Sequence, residues 1–82
     1  MKKYLLHYST NYYDPVYEYK DVRVPLTMLK RVPRDRLMTE EEWRRLGIKL
    51  EHGWEHYMIY CREPHILLFR RKKTEGDEKN DV

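Results

Sequence analysis

Thiol chemistry is almost absent from this chain, whose one cysteine is Cys61. An intramolecular disulfide and a thiolate metal cluster are thereby excluded, and such cysteine usage suits a reducing, intracellular setting. No apolar run approaches the ~18 residues of a membrane span, so no membrane association is expected. The opening MKKYLLHY has two lysines but no long apolar stretch and no small-residue cleavage site, which is not the pattern of a signal peptide. Internal repeats are missing. Charge of one sign is also lacking: 17 Lys and Arg face 14 Asp and Glu, a net +3 with a pI near 9.0. That balance permits an anionic partner without specifying one.

What is present is aromatic and charged. The charged fraction is 38%, yet eight tyrosines, two tryptophans and one phenylalanine argue against disorder. At 82 residues the chain can build one small domain around one modest core. KYLLHYST and VYEYKDVRV read as strands, rich in Tyr and Val with period-two alternation, and NYYDP between them supplies turn residues. Pro25 ends the second strand, and PLTMLKRV fits a short helix opened by proline and stopped by Pro33. In LMTEEEWRRLG, Thr39 and Glu42 form a capping box, Met38 and Trp43 stand at the staple positions, and Gly47 follows Leu46 where a left-handed residue is wanted. A helix over Glu40 to Leu46 follows. WEHYMIY is a third strand, CREP a turn and HILLFRR a fourth strand. The expected fold is α+β: a four-stranded antiparallel sheet with two short helices between two hairpins, ββααββ, over residues 1–71. Residues 72–82 read as a disordered polar tail, since KKTEGDEKNDV within the last stretch has no aromatic.

A hairpin turning at residues 61 to 64 would oppose Tyr60 to His65, Met58 to Leu67 and Trp54 to Arg71, and directly opposed residues share a face. The alternate face would carry Tyr57, Ile59, Ile66, Leu68 and Arg70. Both faces are then substantially apolar, while two short helices can cover only one. The uncovered face reads as a surface for a protein partner.

These stretches carry a resemblance. EPHILLFRR, GWEHYMIY, LMTEEEWRRLG and YEYKDVRVP resemble the Cks family, the small regulatory subunits of cyclin-dependent kinases, from about Tyr8 to Arg71 without a gap. The resemblance implies a four-stranded antiparallel sheet with two helices and no catalysis. It also implies a non-catalytic adaptor, in the nucleus and cytoplasm, that binds a cyclin-dependent kinase and promotes phosphorylation of its substrates in cell-cycle control. Kinase binding is implied for Tyr57, Met58, Glu63 and Leu68, with Glu63 and Pro64 on a hinge. Tyr60, Cys61 and Arg62 stand where histidine, glutamate and proline are usual. Family members exchange their fourth strand through that hinge. Here Pro64 remains but Arg62 replaces the second proline, so a monomer is favoured over a strand-exchanged homodimer.

The resemblance further implies an anion pocket for phosphothreonine at positions 11, 20, 51, 54 and 71. Trp54 and Arg71 match. Lys20 stands in place of arginine, Asn11 in place of lysine, and Glu51 in place of a small hydroxyl donor. A carboxylate only accepts hydrogen bonds, so Glu51 should weaken the docking of phosphothreonine proteins, either by repulsion or by occupying the pocket itself. One branch of the family assists a ubiquitin ligase through its helical surface, and Arg36, Glu41 and Arg45 do not look like that branch.

Other classes fare worse. His7, His52, His56, His65 and Cys61 form no recognisable catalytic or metal arrangement, so neither an enzyme nor a cofactor is expected. A small basic, aromatic-rich RNA-binding module is the alternative. The glycine-flanked aromatics of such modules are missing, however, and no nucleic-acid partner is expected.

Overall fold

The computed structural model describes residues 6–73. Its sheet is antiparallel and contains β1 (His7–Tyr8), β2 (Tyr12–Tyr13), β3 (Tyr17–Arg23), β4 (Glu55–Ile59) and β5 (Ile66–Lys72). A 3₁₀ helix, Leu26–Arg31, and a short α-helix, α1 (Glu40–Arg45), lie between the two hairpins. The strand order is β1-β3-β5-β4, with β2 also pairing β3. The expected α+β layout is therefore present, with its first strand split into two short pieces.

That split corrects the reading of NYYDP as a turn. Tyr12 and Tyr13 pair with Tyr19 and Glu18, so the turn shrinks to the three residues that follow. Asp14 makes the turn: its Oδ1 accepts from the backbone N–H groups of Val16 (2.8 Å) and Tyr17 (2.6 Å). Between β1 and β2 the Ser9 hydroxyl accepts from Asp21 N–H, while Ser9 N–H donates to Asp21 O. The chain stays tied to β3 across the break.

The capping box on α1 is complete. Thr39 Oγ1 accepts from Glu42 N–H, and the Glu42 carboxylate accepts from Thr39 N–H at 2.9 Å. Gly47 ends the helix at φ +102°, a conformation that costs glycine little.

One sheet face is covered. Val22, Leu67, Phe69 and Trp54 meet Met28, Met38, Trp43 and Ile48 from the helical connection in a single core. Trp43 and Phe69, both fully buried, pack edge to face at 5.1 Å. Burial of each such side chain is worth roughly 1.5–3 kcal/mol.

The second hairpin departs from the expected register. Glu55 opposes Arg70 and His56 opposes Phe69, the alignment expected at the end far from the turn. A bulge at Tyr57 then shifts the pairing, so Met58 opposes Leu68 and Ile59 opposes Leu67. The two expected placements are exchanged: Met58 joins the uncovered face, and Ile59 turns toward the covered one. β5 also runs to Lys72, and Lys73 N–H donates to Val16 O, so the folded region passes the expected boundary at residue 71. The rest of the expected polar tail, and residues 3–5 of the expected first strand, lie outside the described residues.

Candidate functional site

Pairing of β3 with β5 brings the two hairpins together at one end of the sheet. Glu18 lies opposite Arg71 and Lys20 opposite Phe69. The loop entering β4 completes the cluster. It is fixed from below by Arg44, whose Nη2 donates to Leu50 O at 2.8 Å. Gly53 then turns the chain at φ +100°. A Cβ there would sit 3.3 Å from Arg71 Cδ, so the glycine gives the arginine stem room to cross. Trp54, 2% exposed, forms the floor, with the Arg71 guanidinium 5.1 Å and Lys20 Nζ 6.0 Å from its ring.

All five positions implied for an anion pocket thus lie around one place, but two carboxylates lie there as well. Glu51 accepts from Trp54 Nε1–H at 3.0 Å. Its carboxyl is held below the ordinary range first by its own backbone N–H and then by the Trp54 donor, with Arg71 and Lys20 adding positive potential. The second carboxylate, Glu18, is one the sequence reading missed. Its side chain is 8% exposed, and Oε1 accepts from Arg71 Nη2 (2.6 Å) and Nε (3.0 Å). Oε2 accepts from Asn11 Nδ2 at 2.7 Å. Asn11, Glu18 and Arg71 therefore form one chain of bonds joining β3, β5 and the segment before β2. A signal for it existed: Glu18 has the same parity along its strand as the buried Val22 and Val24.

The arginine fork is consequently engaged by an internal carboxylate. Lys20 has no ion-pair partner among the described residues. Two cations, Lys20 and Arg71, face two anions, Glu18 and Glu51, so the site has no net charge.

The other sheet face has no buried residue in β3, β4 or β5. Here the Tyr57 bulge puts two consecutive side chains on one side. Tyr57 packs against Tyr19 with ring centroids 5.6 Å apart, and Met58, 47% exposed, stands across from Leu68. Arg70 lies 4.1 Å from the Tyr17 ring and 5.0 Å from the Tyr57 ring, and its Nε donates to Glu55 at 2.9 Å. Tyr12 stacks on Tyr19 at 5.4 Å. Asp14 accepts from the Tyr19 hydroxyl, and that bond, with burial and the nearby charge, pushes the phenol up to about 12. The result is a rigid patch of tyrosines and an arginine beside an exposed methionine.

At the edge of this patch is the β4–β5 turn. Glu63 N–H donates to Tyr60 O, and Ile66 N–H donates to Glu63 O. The Glu63 carboxylate is half exposed, with His65 Nε2 3.9 Å away, and it is open to an outside donor. Pro64 follows it in this compact turn.

A family model described as cyclin-dependent kinase regulatory subunit matches residues 6–73. The chain belongs to the cyclin-dependent kinase regulatory subunit family. It is 53% identical over 70 residues to the cyclin-dependent kinases regulatory subunit of Drosophila melanogaster, covering 85% of this chain and 95% of that one. It is 50% identical over 74 residues to regulatory subunit 2 of Xenopus laevis, covering 90% and 94%. The Dictyostelium discoideum subunit is 55% identical over 65 residues, 79% of each chain. The expected family and fold stand together in the Cks chain, and the RNA-binding alternative finds no support.

Proposed function

We propose that this chain binds a cyclin-dependent kinase through its uncovered sheet face and the β4–β5 turn, acting as a non-catalytic adaptor. Family membership supports the kinase as partner. The observation that carries the choice of surface is the Met58–Leu68 pair, an apolar contact on a face that no helix covers. Tyr57 and Arg70 surround it with a preorganised rim, and aromatic and arginine side chains of this kind are common anchors of interfaces. Glu63 offers a carboxylate to donors on the kinase.

The phosphothreonine pocket belongs to the same reading in a weakened form. Arg71, Trp54 and Lys20 provide the frame, and Glu51 and Glu18 cancel its charge. The adaptor thus retains kinase docking while its affinity for phosphorylated proteins is low. Localisation to the nucleus and cytoplasm would follow from such a partner.

Calorimetry with a purified cyclin-dependent kinase tests the surface. Met58→Asp puts a charge into the apolar contact and should weaken binding at least about tenfold. Glu63→Gln removes a charged acceptor and should weaken it several-fold, with the circular-dichroism spectrum of the free chain unchanged in both. Unaltered affinity in both variants would remove this face from the interface.

A further inference from the structure

Behind the β4–β5 turn, on the covered side of the sheet, lies a cleft of about 170 Å³ that no role above uses. Val32 and Pro33 wall it from the helical connection, and Ile59, Ile66 and Leu67 wall it from the sheet. A cavity of about 150 Å³ with aliphatic and aromatic walls accommodates a benzene molecule, so this volume suits one ring.

Two of its wall residues are polar in a way the apolar walls leave unanswered. His56 is 5% exposed. Its Nδ1 accepts from Met38 N–H at 3.0 Å, which puts the proton of the neutral ring on Nε2. Nε2 is buried and has no hydrogen-bond partner. A buried donor left without an acceptor costs about 1–3 kcal/mol. Arg34, also in the wall, is exposed and has no carboxylate or other hydrogen-bond partner among the described residues. None of the lining side chains is acidic.

We propose that this cleft binds a small apolar carboxylate, with the ring or branched chain against Ile59 and Leu67, the carboxylate taken by Arg34, and the walls parting as it enters to open the buried His56 Nε2–H to it. The apolar walls supply affinity without direction. The two donors supply the preference for an anionic acceptor over a neutral one. Such a carboxylate could be a free metabolite or the C-terminal residue of a peptide ending in Phe or Leu, since both present the same group. The cleft uses neither Met58 nor Leu68, but Tyr60, Cys61 and Pro64 of the β4–β5 turn line it, so it adjoins the proposed kinase surface.

Cys61 provides a reporter. It is exposed, it lines the same cleft, and it is the chain's single cysteine. The full chain is titrated with phenylacetate, with phenylacetamide, and with the peptides Gly-Gly-Phe and Gly-Gly-Phe-amide. Two signals are followed: the His56 imidazole resonances and the rate of Cys61 alkylation by N-ethylmaleimide. Phenylacetate should move the His56 resonances and slow alkylation at least about threefold, and phenylacetamide should bind at least about fivefold more weakly. Arg34→Ala, an exposed substitution that leaves the core untouched, should erase the preference for the acid over the amide. Preference for Gly-Gly-Phe over phenylacetate would identify a peptide terminus as the source, and the reverse a free acid. Equal binding of acid and amide would overturn the proposal, as would His56 resonances unmoved by saturating phenylacetate or an Arg34→Ala variant that keeps the preference.

Discussion

A phosphothreonine peptide approaching the Trp54 floor meets four charged side chains whose signs cancel. The triple change Asn11→Lys, Lys20→Arg and Glu51→Ser should reverse that. It removes one negative charge, adds one positive charge and replaces an acceptor with a hydroxyl that donates. Glu18 and Arg71 are retained, so the site moves from net zero to +2. At about 6 Å and an effective dielectric near 20, a unit charge pair interacts by roughly 3 kcal/mol. The rim is open to solvent and salt, so about a quarter of this, ~0.7 kcal/mol, is a fairer figure per pair. Two units acting on a phosphate dianion then give about 3 kcal/mol, from which side-chain ordering and dehydration subtract. A gain of at least about tenfold in affinity, ~1.4 kcal/mol, is the expected result. Fluorescence polarisation with a labelled phosphothreonine-proline peptide at fixed salt measures it. Arg71→Ala in the triple background should abolish the gain, since it removes the guanidinium beside the Trp54 floor and leaves the Glu18 carboxylate without its partner. If the unchanged chain binds as tightly as the triple variant, Glu51 leaves the pocket when the peptide arrives and the charge argument fails.

Three further outcomes are expected. Arg36, with Thr39 N–H, holds the Glu42 carboxyl down to about 2 against an ordinary 4.5. A carboxyl lowered in the folded state stabilises above pH 4.5, and that contribution is lost as pH falls toward 2. Urea midpoints of the unchanged chain and Glu42→Gln should therefore converge over that window. Phe69→Ala empties the centre of the core beside Trp43 and should cost roughly 3–5 kcal/mol in urea unfolding. The closed β4–β5 turn, with Arg62 at its tip in place of a rigid proline, should give a monomer by light scattering at micromolar concentration, and a dominant dimer would contradict it.

The sequence was most informative where the physics is local. The Thr39–Glu42 box needs only two side chains and four consecutive backbone groups, so it was readable directly, and Gly47 marked the helix end for the same reason. Strand existence followed from alternation. Alternation assumes an unbroken pleat, however, and the bulge at Tyr57 breaks it without any glycine to announce it. Unbroken alternation therefore puts Met58 and Ile59 each on the other's face. Asn, Asp and Pro around Tyr12 and Tyr13 point to a turn there, whereas Asp14 closes the turn alone. Around the expected anion pocket, the family likeness brings Lys20, Glu51, Trp54 and Arg71 into one group. Glu18 escaped it because an ionised side chain between two tyrosines looks solvent-facing until the partner strand supplies Arg71. The unpartnered edge of His56 depends on where the Met38 N–H falls, which is a matter of tertiary packing.

The central position of β5 has a consequence in time. This strand lies between β3 and β4, its Phe69 is wedged against Trp43, and its Arg71 is bonded to Glu18. For two copies to trade it, each would have to part the middle of its sheet and open its core, much as in global unfolding. In such an exchange the turn at residues 60–65 would select which arrangement forms, and β5 would set how long that choice lasts. Unfolding of small domains ranges from below a second to days, so a preparation could keep the proportion of arrangements fixed by the protein concentration at which it last folded. Dilution alone would then reset that proportion only over the unfolding time, and a sample refolded from urea at low concentration would carry a different history from one never unfolded.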